Sequence, residues 1–198
     1  MTAEIFLALV ALAVATLFTP GPNNMMLATS GANFGFRPSV PHLLGVALGF
    51  PLMLLTVGLV LGGLFQASPI LREGLRYGGA LLLLWIAWKI ATSGGIGSKS
   101  GTAQPMRFLA AAGFQWINPK AWSMAVAATS QFVIPDSPFG TAGLVAGTFL
   151  TLGLVSATTW TLAGQAIARW LTTARRLHIF NLVMAALIVA STIQLIVH

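Results

Sequence analysis

Six long apolar stretches divide this chain of 198 residues, with polar connections between them. The first covers residues 5–29 and is interrupted by prolines near its middle. The others cover residues 43–65, 75–88, 108–133, 141–168 and 179–197. Because about 20 apolar residues in a helix cross the hydrocarbon core of a bilayer, this pattern predicts six transmembrane helices.

Composition and charge support a membrane protein. Hydrophobic residues make up 57% of the chain and charged residues 7%, whereas soluble domains hold roughly 25% charged residues. The net charge of +7 is compatible with an anionic partner, but the basic residues fall mostly between the apolar stretches, as membrane topology requires. We therefore expect the lipid bilayer as a partner and no nucleic acid.

Two halves of three predicted spans each make up the chain. Residues 4–92 form the first half, residues 93–105 a polar linker rich in glycine and serine, and residues 106–198 the second half. Since three is odd, the second half enters the membrane from the opposite side, which predicts an inverted repeat. We expect one all-α membrane domain over residues 1–198, with transmembrane helices 1 and 4 broken at proline.

Lysine and arginine near the span ends predict the orientation, because they are enriched in cytoplasmic connections. The two ends and the second and fourth connections together hold only Arg72 and Arg76. The first, third and fifth connections hold Arg37, Lys89, Lys99, Arg107, Arg169, Arg175 and Arg176. Both termini are therefore predicted to be periplasmic.

The first proline break reads Pro20-Gly21-Pro22-Asn23-Asn24. Backbone freed by proline at bilayer depth is tolerated only where it packs against protein or lines a polar cavity. Pro22 suits the first position of a new half-helix, whose free N–H groups attract a carboxylate. Asn23 and Asn24 add amides that both donate and accept hydrogen bonds. We interpret these five residues as substrate-binding; the alternative is a kink that helps the helices to pack.

The second break contains Gln115, Asn118, Pro119 and Lys120. A lysine near mid-bilayer costs at least roughly 2.5–3.5 kcal/mol unless it faces a cavity or a partner. We interpret Lys120 as a cation that attracts a carboxylate, with Gln115 and Asn118 offering hydrogen bonds beside it. The alternative is that the break brings Lys120 near the membrane interface, where its ammonium extends into water.

Four nearby side chains have simpler interpretations. Trp116 and Trp122 are expected in an aromatic belt at the membrane interface. His42 and His178 adjoin predicted helix starts, and we expect them to be solvated rather than to relay protons.

The acidic residues argue against metal and enzyme chemistry. Glu4, Glu73 and Asp136 all lie at predicted span ends, so no carboxylate is expected at mid-membrane, and the chain has no cysteine. Metal sites need clusters of such ligands. We expect no metal, no cofactor and no catalytic residue, because no nucleophile has a base nearby.

These motifs resemble those of the LysE/RhtB family of amino-acid exporters. The similar segments are residues 19–23, 35–37, 85–91, 114–121 and 160–164, the Gly45-x-x-x-Gly49 pair and Asn181. Within the family, they are most similar to the cysteine/O-acetylserine exporter branch.

The resemblance implies a bacterial inner-membrane secondary transporter that works by alternating access, driven by the proton gradient. It implies that the two broken helices meet at the substrate site. The substrate is then a small amino acid, and a homodimer is left open. Phe50 stands where many members have an acidic residue, which favours a small neutral amino acid or derivative, of the cysteine/O-acetylserine or threonine/homoserine class, over lysine or arginine. The alternatives are a passive channel and an exporter of another metabolite class.

Overall fold

The computed structural model describes residues 1–61, 68–92 and 104–197. This part of the chain contains eight α-helices and no β-strand. In chain order they are α1 (Ala3–Phe18), α2 (Pro22–Phe34), α3 (Phe36–Thr56), α4 (Pro69–Ala91), α5 (Phe108–Phe114), α6 (Pro119–Phe132), α7 (Pro138–Ala168) and α8 (Ala174–Val197). The all-α prediction is confirmed for these residues, and residues 93–103 of the predicted linker lie outside them.

Three helices, α3, α7 and α8, are each long and apolar enough to cross a bilayer. Together, α1 and α2 form a fourth candidate span with a bend of 54°. The helix α5 continues into a 3₁₀ turn, Gln115–Ile117, as a shorter apolar helix. Length and composition therefore support a helical membrane protein with three or four evident spans, while the six-span inverted repeat stays a prediction.

Both predicted proline breaks are present. One separates α1 from α2, and the other separates α5 and its 3₁₀ turn from α6. Pro22 and Pro119 are the first residues of α2 and α6. Proline is well tolerated there because a first-turn N–H has no partner within the helix.

Residues 31–41, in the polar connection between the first two apolar stretches, are mostly helical. The helix α2 continues to Phe34 and α3 begins at Phe36, so only Gly35 lies between them. Gly35 has a φ of 82°, which glycine adopts readily. Pro38 lies in the first turn of α3, where it removes no helical hydrogen bond. The polar residues in this segment mark the end of the first apolar stretch, but they do not mark the ends of the helices.

Glycines bring α2 and α7 into backbone contact. A Cβ atom on Gly31 would lie 2.0 Å from the carbonyl oxygen of Thr161. Conversely, a Cβ atom on Gly164 would lie 2.0 Å from the carbonyl oxygen of Ala28. Gly45 and Gly49 similarly allow α3 to pack closely against α5.

The largest apolar core lies among α1, α3, α6 and α7. Leu9, Met53, Ala125 and Phe149 are fully or almost fully buried in it. These helices, together with α2, bring the two proline breaks to the edge of one cavity.

Candidate functional site

A cavity of about 550 Å³, measured out to its open mouth, lies between the two proline breaks. This figure includes space that is open to solvent at the mouth, so the enclosed part of the cavity is smaller. Five of the predicted site residues line it, namely Gly21, Asn23, Asn24, Asn118 and Lys120. Of the other four, Pro22, Gln115 and Pro119 are buried beside the breaks, and Pro20 is exposed.

At the first break, Asn24 binds the carbonyl end of α1. Its Nδ2 donates to the carbonyl oxygens of Leu17 and Thr19, both at 2.8 Å. Ser156 of α7 donates from Oγ to the same Leu17 oxygen at 2.8 Å. No donor in the described part of the chain reaches Asn24 Oδ1, which leaves this oxygen available at the cavity.

Lys120 connects the second break to the first. Its ammonium donates to Thr19 Oγ1 at 3.2 Å and to the Thr19 carbonyl oxygen at 3.4 Å. Gly21 leaves room for this contact, because a Cβ atom there would lie 2.7 Å from Nζ. The ammonium therefore lies at the cavity wall, beside the start of α2.

A second link between the breaks joins Asn23 and Gln115. Asn23 Nδ2 donates to Gln115 Oε1 at 2.9 Å, and Gln115 Nε2 donates to Asn23 Oδ1 at 3.4 Å. Gln115 is fully buried and also donates to the Ala111 carbonyl oxygen at 2.9 Å. Gln115 thus holds Asn23 in place rather than lining the cavity itself.

Local partners hold the second break. Asn118 Oδ1 accepts the backbone N–H of Lys120 at 3.1 Å and so caps α6. Trp122 donates from Nε1 to the Trp116 carbonyl oxygen at 2.8 Å, and its side chain is 5% exposed. The aromatic-belt prediction is therefore wrong for Trp122, because its ring is buried against the break.

The start of α2 gives the cavity a positive helix end. Gly21 has no side chain to cap this helix, and Pro22 has no N–H. The N–H groups of Asn23 and Asn24, in the first turn, have no acceptor within the helix. These donors and the helix dipole favour an anion beside Lys120.

Much of the cavity wall comes from α3 and α7, which the sequence motifs did not indicate. Phe50 and Phe149 line it, with ring centroids 5.5 Å apart in an edge-to-face arrangement. Gly153 and Ser156 of α7 also line it. Of these residues, the sequence analysis singled out only Phe50, because it departs from the family pattern. The polar atoms at the wall are amides, hydroxyls and one ammonium, and no acidic side chain lines it among the described residues.

His42 corrects a further prediction. We expected a solvated histidine, but its side chain is 1% exposed and its Nδ1 lies 2.8 Å from Ser30 Oγ of α2. The difference arises because α3 begins at Phe36, well before His42, so that this residue is packed inside the bundle. His178 is exposed, as expected.

Comparison with known proteins agrees with this arrangement. Residues 14–198 match the family described as LysE type translocator. A cysteine/O-acetylserine efflux protein of Escherichia coli (strain K12) is 32% identical over 186 residues, which cover 91% of this chain and 91% of that protein. A protein of the same name from Salmonella typhimurium is 32% identical over 159 residues, or 78% of this chain and 79% of that protein. No solved structure matches the chain. With the whole cavity inside the matched residues, the chain belongs to the LysE type translocator family of membrane transporters and is not an enzyme.

Proposed function

We propose that this chain exports a small neutral amino acid or derivative, of the cysteine/O-acetylserine or threonine/homoserine class, across the bacterial inner membrane. In this proposal, residues 1–198 form one domain whose six spans make two inverted three-helix repeats. Both termini are periplasmic, and the proton gradient drives export by alternating access. Association into a homodimer stays a prediction.

The observation that carries this proposal is the cavity between the two breaks, with one ammonium beside an uncapped helix start. The α-carboxylate of an amino acid would bind Lys120 Nζ and the N–H groups at the start of α2. To do so it replaces the Thr19 oxygens that Lys120 contacts at 3.2 and 3.4 Å. Binding a carboxylate therefore replaces two long hydrogen bonds to neutral oxygens with one to a negatively charged oxygen, which is typically stronger.

The ammonium group of the substrate needs oxygen acceptors in the same cavity. Asn24 Oδ1 is the best placed, because both N–H bonds of that amide already point at α1. Asn23 and Asn118 line the cavity as well, although their Oδ1 atoms each accept one hydrogen bond from the protein. We assign the carboxylate to Lys120 and the start of α2, and the amine to the asparagines.

The rest of the wall favours a small, uncharged side chain. Ala47, Phe50, Met124 and Phe149 make this part of the cavity apolar. A second positive charge on the substrate would meet no carboxylate there, which disfavours lysine and arginine as cargo. The efflux proteins that share 32% identity with this chain carry cysteine and O-acetylserine in their names, which supports the same class.

Counterflow in proteoliposomes tests the proposal. Vesicles loaded with an unlabelled amino acid receive a trace of the same labelled compound, across a panel that includes O-acetylserine, threonine and lysine. We expect transient accumulation of small neutral compounds and none of lysine, with protein-free liposomes as the control. A passive channel only equilibrates the label. Absence of accumulation throughout the panel, or a preference for lysine, would contradict the proposal.

A further inference from the structure

A second buried polar site lies between α2 and α3, outside the cavity lining. His42 is 1% exposed and Ser30 is 6% exposed, with 2.8 Å between Nδ1 and Oγ. The other ring nitrogen, Nε2, is buried and has no hydrogen-bond partner among the residues that the structure describes. Buried polar atoms without a partner are rare in native proteins and often mark a functional group.

Few other groups near this site can carry a charge. The helices α2, α5 and α7, which all pack against α3, contain no titratable side chain. On α3 itself the only other charged residue is Arg37, which is exposed at its first turn. The remaining ones are Lys120 of α6 and Glu4, which is exposed in the first turn of α1, while the exposed Arg107 directly precedes α5. His42 is therefore the buried group best suited to bind and release a proton.

The position of His42 connects it to the cavity. Val46, one helical turn further along α3 at about 6 Å of rise, lines the cavity, as do Ala47 and Phe50. Ser30 belongs to α2, the helix whose first turn lines the same cavity. A change in the hydrogen bond between His42 and Ser30 would therefore alter the packing of α2 against α3, the two helices that form one side of the cavity.

We propose that Nε2 of His42 is the proton-binding site that couples transport to the proton gradient, which rests on the proposed export function. The described residues bury Nε2 away from solvent and offer it no hydrogen-bond partner. A proton on both ring nitrogens would leave a buried positive charge with one N–H unsatisfied, which is costly. Proton binding therefore requires α2 and α3 to separate enough to hydrate the ring. One proton enters from outside on Nε2 and leaves toward the cytoplasm as the amino acid moves outward.

The test compares His42→Gln with His178→Gln, a substitution at an exposed histidine. In proteoliposomes, an acidic interior drives uptake of a labelled amino acid, whereas counterflow needs no net proton movement. We expect His42→Gln to keep counterflow close to that of the unaltered protein and to lose the acceleration by the gradient. His178→Gln is expected to keep both.

Ser30→Ala provides a second test that retains the histidine and removes its hydrogen-bond partner. We expect weaker gradient acceleration with counterflow preserved. This variant decides the matter if His42→Gln does not fold. Full acceleration by the proton gradient in either variant would overturn the proposal and make Lys120 the next candidate for the proton-binding site.

The unaltered protein separates this proposal from the export function. Counterflow without any effect of the gradient would overturn the role of His42. The absence of all counterflow would instead reject the proposed export function.

Discussion

The two proline breaks satisfy their freed backbone groups with different partners. At the first break, the carbonyl groups at the end of α1 accept hydrogen bonds from Asn24 on α2, Ser156 on α7 and Lys120 on α6. At the second break, Asn118 and Trp122 bind groups only two and six residues away along the chain. The carbonyl groups of the first break thus depend on three other helices, whereas Asn118 and Trp122 bind local partners. Gln115 and Lys120 link the second break to the first.

The two breaks therefore differ in how strongly their hydrogen bonds depend on the packing of other helices. The hydrogen bonds of Asn118 and Trp122 at the second break can persist while other helices move, because these partners lie on the same stretch of chain. The first break loses hydrogen bonds whenever α6 or α7 shifts relative to α1. In the proposed binding mode, a substrate carboxylate takes Lys120 away from Thr19 and so acts on this more sensitive break.

The largest effect is expected when the link between the breaks is removed. Lys120→Met eliminates the ammonium, and a hydrogen bond to a charged group is worth about 1.5–3 kcal/mol, or roughly 10- to 150-fold. We expect counterflow to fall by that factor. Lys89→Met is the matched control, because Lys89 is exposed on α4 and does not line the cavity. Unchanged transport by Lys120→Met would show that the ammonium binds no substrate.

A smaller effect is expected on the stability of the protein, and it should differ between the two breaks. Asn24→Ala removes two hydrogen bonds and should lower the free energy of unfolding by about 2 kcal/mol, at about 1 kcal/mol each. Asn118→Ala removes a helix cap, which typically costs about 1 kcal/mol. Reversible unfolding in mixed micelles measures both. Thr159→Ala, on the exposed side of α7, is the control, since its hydroxyl binds only its own helix. Equal losses at Asn24 and Asn118 would contradict the contrast between the breaks.

The smallest expected effect is the coupling between Asn23 and Gln115. A double-mutant cycle with alanine at both positions should give a coupling energy of about 0.5–1.5 kcal/mol in unfolding, in the range of one hydrogen bond. Asn33 lies about 15 Å further along α2 and bonds to Asn181 instead. The losses in unfolding free energy caused by alanine at Asn33 and by alanine at Gln115 should therefore add within about 0.5 kcal/mol in the double variant. A cycle at Asn23 that is equally additive would mean that this pair does not join the breaks.

The features that could be predicted from the sequence are those that depend on neighbouring residues. Proline is well tolerated only in the first turn of a helix, so the first break and the start of α2 could be placed from Pro22, and the second break from Pro119. The rule has exceptions, because α3 continues through Pro41 and Pro51. The hydrogen bond between Asn23 and Gln115 spans 92 positions. It depends on how the helices pack, and no local pattern encodes that.

Burial was also hard to predict near the polar connections. Residues 31–41 looked like an exposed loop because they contain arginine, serine and two prolines. The turn at Gly35 instead starts α3 early and packs His42 against Ser30. Trp122 likewise fits an aromatic belt by composition, yet its indole N–H is needed by a carbonyl group six residues back.

The contact of Gly31 with Thr161 and of Gly164 with Ala28 has a mechanical consequence. Neither position has room for even a methyl group, so α2 and α7 interlock along their backbones and resist sliding past each other. Yet α2 comes from the first half of the chain and α7 from the second. In the alternating-access cycle that we propose, these two helices turn together as one rigid unit. The moving unit is then a pair drawn from both halves, and the joints are Gly35 and the 54° bend before α2.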